Sequence, residues 1–382
     1  MKKSVGIITT HYAANYGAIL QAYALQNIIQ SLGYDCEIID FRPNIDVYGR
    51  KYIFRELNLK IIFHNIQRIF HFKYLSRFKS RIAKMDEFLN EKIKKSDKIY
   101  KSYEEIIEDL PQYDCYVCGS DQVWNTRLMY SPAFFLRFEK KNPSAMYVAF
   151  APSFPEVKTQ QDEDIILNNI KHFDYLSARE HDGAEFLAQK TKRCVENVLD
   201  PVFLLPQQHW SNLGNQSKYG LKKEKYLLLY FIGISETIKS VVKILSQRLN
   251  IKVIYICLGY KDEIGADEVL WNASPADFVG LIKNATFVCT NSFHATAFSI
   301  IFSKGFCTVG NNVRNSRMIN ILEKMGMEER LLTSDNEESI NRILGLIKVE
   351  EKNDYFLQLN VQKSENYLKQ ALEGVKKDVN IT

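Results

Sequence analysis

The chain has 382 residues, 46% hydrophobic and 12% aromatic, enough apolar material for two domains with separate cores rather than a single compact one. Its formal charge of +5 is modest, no recognised nucleic-acid module accompanies it, and no 18-residue apolar stretch is present to span a membrane. Seven cysteines, an odd number without metal-ligand spacing, argue against a disulfide framework and for a reduced, cytoplasmic protein.

The N-terminal "MKKSVGIITTHY" carries two lysines but only a short apolar run, so it reads as a first strand and not a signal peptide. After Val5 to Thr9 come the polar turn "HYAANYG", the helical spacing of "AILQAYALQNIIQSL", a stop at Gly33 and the strand "CEIIDF". Strand, helix and strand in that order imply a parallel pair with a right-handed crossover. Asn15, Tyr16 and Gly17 fall at the helix N-terminus, where free N–H groups and the dipole favour an anion, though Asn15 as a plain cap is an open alternative. The stretch is not a G-x-G-x-x-G fingerprint, which argues against a dinucleotide.

From Lys60 to Lys84 there are seven positive charges and no acid, interleaved with Phe63, Phe70, Phe72, Tyr74 and Phe78. This is either a solvated helix face with its aromatics in the core or a surface for anionic lipid headgroups or a diphosphate-linked substrate. "YDCYVCGS" contains a C-x-x-C, Cys115 and Cys118, but reads as a strand rather than the helix start where redox motifs sit.

The following "CGSDQVWN" offers Ser120, Asp121, Gln122 and Asn125, more polar groups than a turn needs, with Trp124 as a platform for a sugar or anion. Further strands are expected at "MYVAFA", "YLSA" and "VENVL", making the first half a doubly wound α/β domain. Asp162, Glu163 and Asp164 have the acid-x-acid spacing some sugar transferases use for a metal, but they precede a helix and read as a charge cluster complementing its dipole. "LSARE" places Arg179 at a strand end, where a planar guanidinium suits a carboxylate or phosphate.

Residues 206–225, polar and poor in apolar periodicity, read as a linker. Alternation then resumes, so a second α/β domain is expected over 226–350, after a first over 1–205, with a C-terminal helix in 351–382. Ser274, Pro275 and Asp277 come close to a capping box. Two such domains take ligands in the cleft they face, at the carboxyl ends of the strands. In "CTNSFHATAFSIIF", Ser292 can cap a helix, but Asn291, Ser292 and His294 together exceed what a cap needs, and a histidine in a first helical turn can transfer a proton.

Taken together, "NYGAILQAYAL", "GSDQVWN", "LSARE" followed by "VLDPVFLL", "SPADFVGLIKNATFVCTNSFHATAFSIIF" and a late arginine-containing loop resemble the polysaccharide pyruvyl transferase family, from about residue 4 to about residue 325. The resemblance implies a GT-B-like pair of α/β domains, the first on the acceptor side. It also implies transfer of pyruvate from phosphoenolpyruvate to a sugar of a surface, capsular or exopolysaccharide precursor, forming a cyclic ketal and releasing phosphate. His294 matches the family's acid–base histidine and Arg179 an arginine near the donor. The family pattern has an arginine two residues before the histidine where this chain has Ser292, so either Arg314 or Arg317 in "NNVRNSRM" supplies the missing charge or the donor differs.

No metal or cofactor is called for, because arginines can stabilise the developing charge. The acceptor is expected to be a sugar on a lipid diphosphate, met at the inner face of the membrane through the basic 60–84 segment. Two rivals remain: a nucleotide-sugar glycosyltransferase of the same fold, and a non-catalytic glycan-binding protein.

Overall fold

A computed structural model describes residues 2–43, 49–50, 72–129, 131–139, 142–154, 157–219, 224–259, 261–310, 315–346 and 351–375. It divides into two compact units. The first holds Met1–Tyr48, Leu89–Leu205 and Gln358–Thr382; the second holds Gly49–Phe88 and Pro206–Leu357.

The main sheet of the first unit has the order β3-β2-β1-β4-β5, from β1 (Ser4–Ile8), β2 (Asp35–Phe41), β3 (Lys95–Tyr100), β4 (Cys115–Cys118) and β5 (Met146–Ala149). All four pairings are parallel. β1 and β4 are buried along almost their whole length, as expected of central strands covered on both faces. The Tyr16–Ser31 helix makes the crossover from β1 to β2, and Gly33 ends it at φ +95°. A two-stranded parallel sheet, β6 (Leu176–Ala178) with β7 (Val195–Asn197), follows β5. It is tied to β5 by the bridge of Val148 with Tyr175. The Glu351–Glu373 helix reaches this unit through Tyr367, whose hydroxyl donates to the Ala149 carbonyl at 2.8 Å, and Ser364, which accepts from the Leu199 amide at 2.9 Å.

The second unit is also all parallel, in the order β10-β9-β8-β11-β12-β13. Its strands are β8 (Tyr226–Tyr230), β9 (Lys252–Ile256), β10 (Glu268–Leu270), β11 (Phe287–Thr290), β12 (Gly305–Val309) and β13 (Leu331–Leu332). Its core gathers Leu227, Leu229, Val241, Leu245, Phe287 and Val309. At the Pro275–Asn284 helix the near-capping box is complete, Ser274 and Asp277 each bonding the other's backbone N–H.

Two boundaries differ from those expected. Residues 206–225 contain the Gln207–Asn215 helix, not a plain linker. Trp210 and Leu213 anchor it, the Trp210 ring meeting Phe298 edge-on at 4.9 Å, while Gly214 lies against the Gly280 backbone where a Cβ would fall 3.1 Å from Cα. Two buried apolar side chains and one glycine outweigh the polar composition. Residues 49–88, assigned above to the first domain, group with the second unit; the C-terminal helix forms as Glu351–Glu373, and from Gln358 it groups with the first unit.

Candidate functional site

In a parallel sheet that winds in both directions, ligands sit at the carboxyl ends of the two strands where the winding reverses. In the first unit these are β1 and β4, and in the second β8 and β11. Most of the expected site residues fall at one edge or the other.

At the first edge, β1 and β4 are laced together beyond their last paired residues. Thr9 Oγ1 donates to the Ser120 carbonyl at 3.0 Å and accepts from Gln21 Nε2 at 2.9 Å; Thr10 Oγ1 donates to Asp121 Oδ2 at 3.2 Å. Gly119 permits this approach, since a Cβ there would lie 3.0 Å from the Thr9 Cβ. Behind the edge lies a buried ionic frame. Arg179 donates from Nη1 to Asp200 at 2.8 Å and from Nε to Glu180 at 3.1 Å. Ser120 Oγ lies 2.9 Å from both Asp200 and the Ala151 carbonyl, and Ser153 Oγ donates to Glu180 at 2.8 Å.

The side chain of Arg179 is 3% exposed. Burial works against its charge, but the carboxylates of Glu180, Asp200 and Asp121 outweigh it and raise the guanidinium pKa. This geometry departs from the donor-binding role expected of Arg179: its charge is engaged by two internal carboxylates, and it positions loops.

Trp124 is likewise not a platform. It is fully buried, stacked on Phe135 at 5.4 Å with its indole N–H donated to the Phe134 carbonyl, because the apolar residues around it form a core pocket. Tyr16 and Gly17 are buried too. Asn15 caps its helix, its side chain accepting from the amides of Gly17 at 2.8 Å and Ala18 at 3.4 Å, so those two N–H groups are not open to an anion. Gln122 accepts from Asn125 at 2.8 Å and is half-buried. Asp162 opens its helix as a charge cluster should; hydrogen bonds from Arg127, Thr159 and Thr126 hold its carboxyl down at about 2. Among the described residues no cluster of acids, histidines and cysteines could hold a metal ion.

A second group at this edge was missed from sequence. His11, wholly buried, places Nε2 3.0 Å from Asp40 Oδ1 and Nδ1 3.3 Å from the Thr9 carbonyl. Arg42 clamps both oxygens of Asp40 at 2.6 Å and lies 4.4 Å from the Tyr12 ring centre. Burial alone would raise the Asp40 carboxyl, but the hydrogen bonds from His11 and Arg42 prevail and hold it well below the usual carboxylate range. The available signal was an acid embedded in an apolar strand, in "CEIIDF", and likewise Asp200 in "VLDPVFLL".

At the second edge the loops are held by uncharged amides and hydroxyls. Asn291 accepts from the Ile232 amide at 2.7 Å and its Nδ2 lies 3.3 Å from the carbonyls of Ile232 and Gly233, stitching the end of β11 to the chain leaving β8. Thr290 Oγ1 donates to the Tyr230 carbonyl at 2.5 Å, and Ser292 caps the Phe293–Ile301 helix through the Ala295 amide. His294 stands in the first turn of that helix, 6% exposed, with its ring edge-on to Phe293 at 5.1 Å. Arg317 lies half-buried in the first turn of the Asn315–Lys324 helix, after β12, while Arg314 lies outside the described residues.

The basic 60–84 segment is described only from residue 72, so Lys60 and Arg68 lie outside. Its described part favours the structural reading. Arg77 lies 4.3 Å from the Trp271 ring centre, Arg81 is buried at 3.4 Å from the Cys257 and Leu258 carbonyls, and Lys84 donates to the Asn272 carbonyl at 2.8 Å. Lys79 alone of these four is exposed. Among the described residues no helix is long and apolar enough to cross a membrane. Cys115 and Cys118 are buried on β4 and form no disulfide.

The family model for polysaccharide pyruvyl transferase matches residues 15–313. No curated protein sequence matches the chain. Among solved structures the chain is similar to the UDP-GlcNAc 2-epimerase of Methanocaldococcus jannaschii in complex with UDP-GlcNAc and UDP, at 12% identity over 97% of this chain and 99% of that one, with a TM-score of 0.55. A putative UDP-N-acetylglucosamine 2-epimerase from Listeria monocytogenes matches at 13% identity over 98% of each chain, TM-score 0.51. The UDP-GlcNAc 2-epimerase of Neisseria meningitidis bound to UDP-GlcNAc matches at 9% identity over 98% and 100%, TM-score 0.50. At such identities the likeness is one of fold, and that fold is GT-B-like: two α/β units, each on a parallel sheet.

Proposed function

The chain belongs to the polysaccharide pyruvyl transferase family, and from that premise we propose that it transfers the enolpyruvyl group of phosphoenolpyruvate to a sugar of a surface polysaccharide precursor, closing a pyruvate ketal and releasing phosphate. The observation that carries the reading is His294, the titratable side chain of a family-matched turn, held in the first turn of a helix at the reversal point of its sheet. An enol phosphate becomes electrophilic when its methylene carbon is protonated, and His294 is assigned that proton transfer. Phosphoenolpyruvate brings a carboxylate and a phosphate. With Ser292 neutral and Arg179 engaged internally, the charge to meet them is assigned to Arg317 and Arg314. Recognition of the acceptor is assigned to the first unit, through Asn15, Asp121 and Gln122, with buried Ser120 holding the loop of the last two. The acceptor class proposed is a sugar on a lipid diphosphate, met at the inner face of a membrane.

Thermal stability with phosphoenolpyruvate against a panel of nucleotide sugars, on wild type, Arg317→Ala and His294→Ala, tests this. Stabilisation by phosphoenolpyruvate, weakened in Arg317→Ala, together with at least about a hundredfold loss of phosphate release in His294→Ala, is the expected result. Stabilisation by a nucleotide sugar instead makes the chain a glycosyltransferase, a rival favoured only by the UDP-GlcNAc carried by its structural neighbours. If His294→Ala leaves the biological function intact, the chain is a glycan-binding protein.

A further inference from the structure

A guanidinium stays charged inside a protein, so one taken out of water needs a carboxylate, a phosphate or a full set of acceptors. Arg179 and Arg42 have their carboxylates. Arg81, only 5% exposed, has none among the described residues. What surrounds it is slight. Nη1 lies 3.4 Å from the carbonyls of Cys257 and Leu258, beyond the usual N–H···O range of about 2.7–3.2 Å, and the Phe78 ring centre is 5.6 Å from the central carbon. Nε is buried without a hydrogen-bond partner, and no described residue accepts from Nη2.

The place of this arginine gives the gap its meaning. Arg81 stands on the Phe72–Lys92 helix, four residues after Arg77 and three before Lys84, so the three cations share one helix face. That face lies on the carboxyl ends of β9 and β10: Arg81 against residues 257–258, just past β9, and Lys84 and Arg77 against Asn272 and Trp271, just past β10. The same edge of the same sheet carries the end of β11, two strands from β9 and on the order of 10 Å away, from which the His294 helix starts. All these residues belong to the second unit. Among the described residues one carboxylate faces the three cations, that of Asp277, 3.9 Å from Lys84 and already bonded by Ser217 Oγ and the Ser274 amide. Positive charge is left in excess.

Pinning the helix to the sheet does not explain Arg81. Lys84 does that with one bond of 2.8 Å, whereas two contacts of 3.4 Å add little and leave a charge buried. In an arginine, Nε–H and the neighbouring Nη2–H point the same way and form a fork matched to two oxygens of one carboxylate or phosphate. In Arg81 this is the edge without partners, the carbonyls being on Nη1. We propose that the Nε–Nη2 edge of Arg81 is an anion subsite of the second unit, taking two oxygens of the phosphate or the carboxylate of phosphoenolpyruvate; this rests on the pyruvyl-transfer reading above. Its charge joins those assigned to Arg317 and Arg314, on an edge that Ser292 leaves uncharged.

The test compares wild type with Arg81→Met and Arg81→Lys. Without ligand, Arg81→Met exchanges a buried charge for an apolar side chain and is expected to melt no more than about 4 °C below wild type; a larger fall makes the arginine structural and overturns the proposal. In titration calorimetry with phosphoenolpyruvate, Kd is expected to rise at least about tenfold in Arg81→Met and by less in Arg81→Lys, which keeps the charge but not the paired donors. An unchanged Kd in Arg81→Met overturns the subsite, and one unchanged in Arg81→Lys removes the fork. Inorganic phosphate and pyruvate, titrated separately, tell the two ends of the donor apart: the one whose binding weakens in Arg81→Met is the group held. If phosphoenolpyruvate does not bind the wild type while phosphate or pyruvate does, and weakens in Arg81→Met, the donor reading falls and the anion subsite stands. If phosphoenolpyruvate binds wild type and Arg81→Met alike, the subsite falls and the donor reading stands. Binding of none of the three to the wild type removes the subsite.

Discussion

At the β1/β4 edge the side chains that hold the loops are mostly charged, Arg179 with Asp200 and Glu180, and Arg42 with Asp40 beside His11. At the β8/β11 edge the same task falls to Thr290, Asn291 and Ser292, which are neutral and bond mainly to backbone. Both edges lie where their sheets reverse direction, so topology does not account for the difference. An ionic frame in a buried place is rigid only while every charge keeps its partner; a neutral stitch of amide and hydroxyl tolerates changes of pH. The charged edge therefore has strength and vulnerability together. The neutral edge leaves His294 as the sole titratable side chain in the 290–296 turn.

The largest effect that can break this comparison is Arg179→Ala. It leaves the carboxylates of Asp200 and Glu180 buried and unpaired, with an expected loss of about 3–5 kcal/mol in urea denaturation. A loss under about 1 kcal/mol means the frame is not what holds the first edge.

Next comes the acid limb of stability. The folded-state pKa of Asp40 is depressed below its ordinary 3.8, so its contribution is fully present above that value and drains away as the pH falls below it. Asp40→Asn is expected to remove about 2 kcal/mol near neutrality and to flatten the fall in stability between about pH 5 and pH 2. An unchanged acid limb would place its origin elsewhere.

Smallest is Asn291→Ala, which deprives the Ile232 amide of its acceptor. It should remove about 1–2 kcal/mol, and by the same amount at pH 7 as at pH 4. A pH-dependent loss there would erase the contrast between the edges.

Much of this architecture was legible. The β1–helix–β2 unit announces itself through a β-branched run, a helical apolar spacing and a glycine stop, and the complete capping box stands in "SPAD". β3 was not legible, since "KSDKIY" buries only part of its length at the sheet edge and carries no apolar alternation; β10 and β13 are too short to show a period. At the sites, residue types in a turn could be read but not their partners. Ser120 and Asp200 are eighty residues apart, and nothing local in "LSARE" distinguishes an arginine that meets a ligand from one that meets two carboxylates of its own fold. Trp124 misled for the converse reason: beside polar residues it resembles a platform, and only the tertiary packing of Phe135 over it shows a core residue.

The first unit draws on three stretches of the chain, the last of them Gln358–Thr382. Ser364 and Tyr367, which bond to Leu199 and to β5, follow the last stretch of the second unit in the chain. During translation, then, the N-terminal sheet waits with part of its covering missing while the whole second unit emerges and can fold as a body. Of these two units, the one begun first is thus the one finished second.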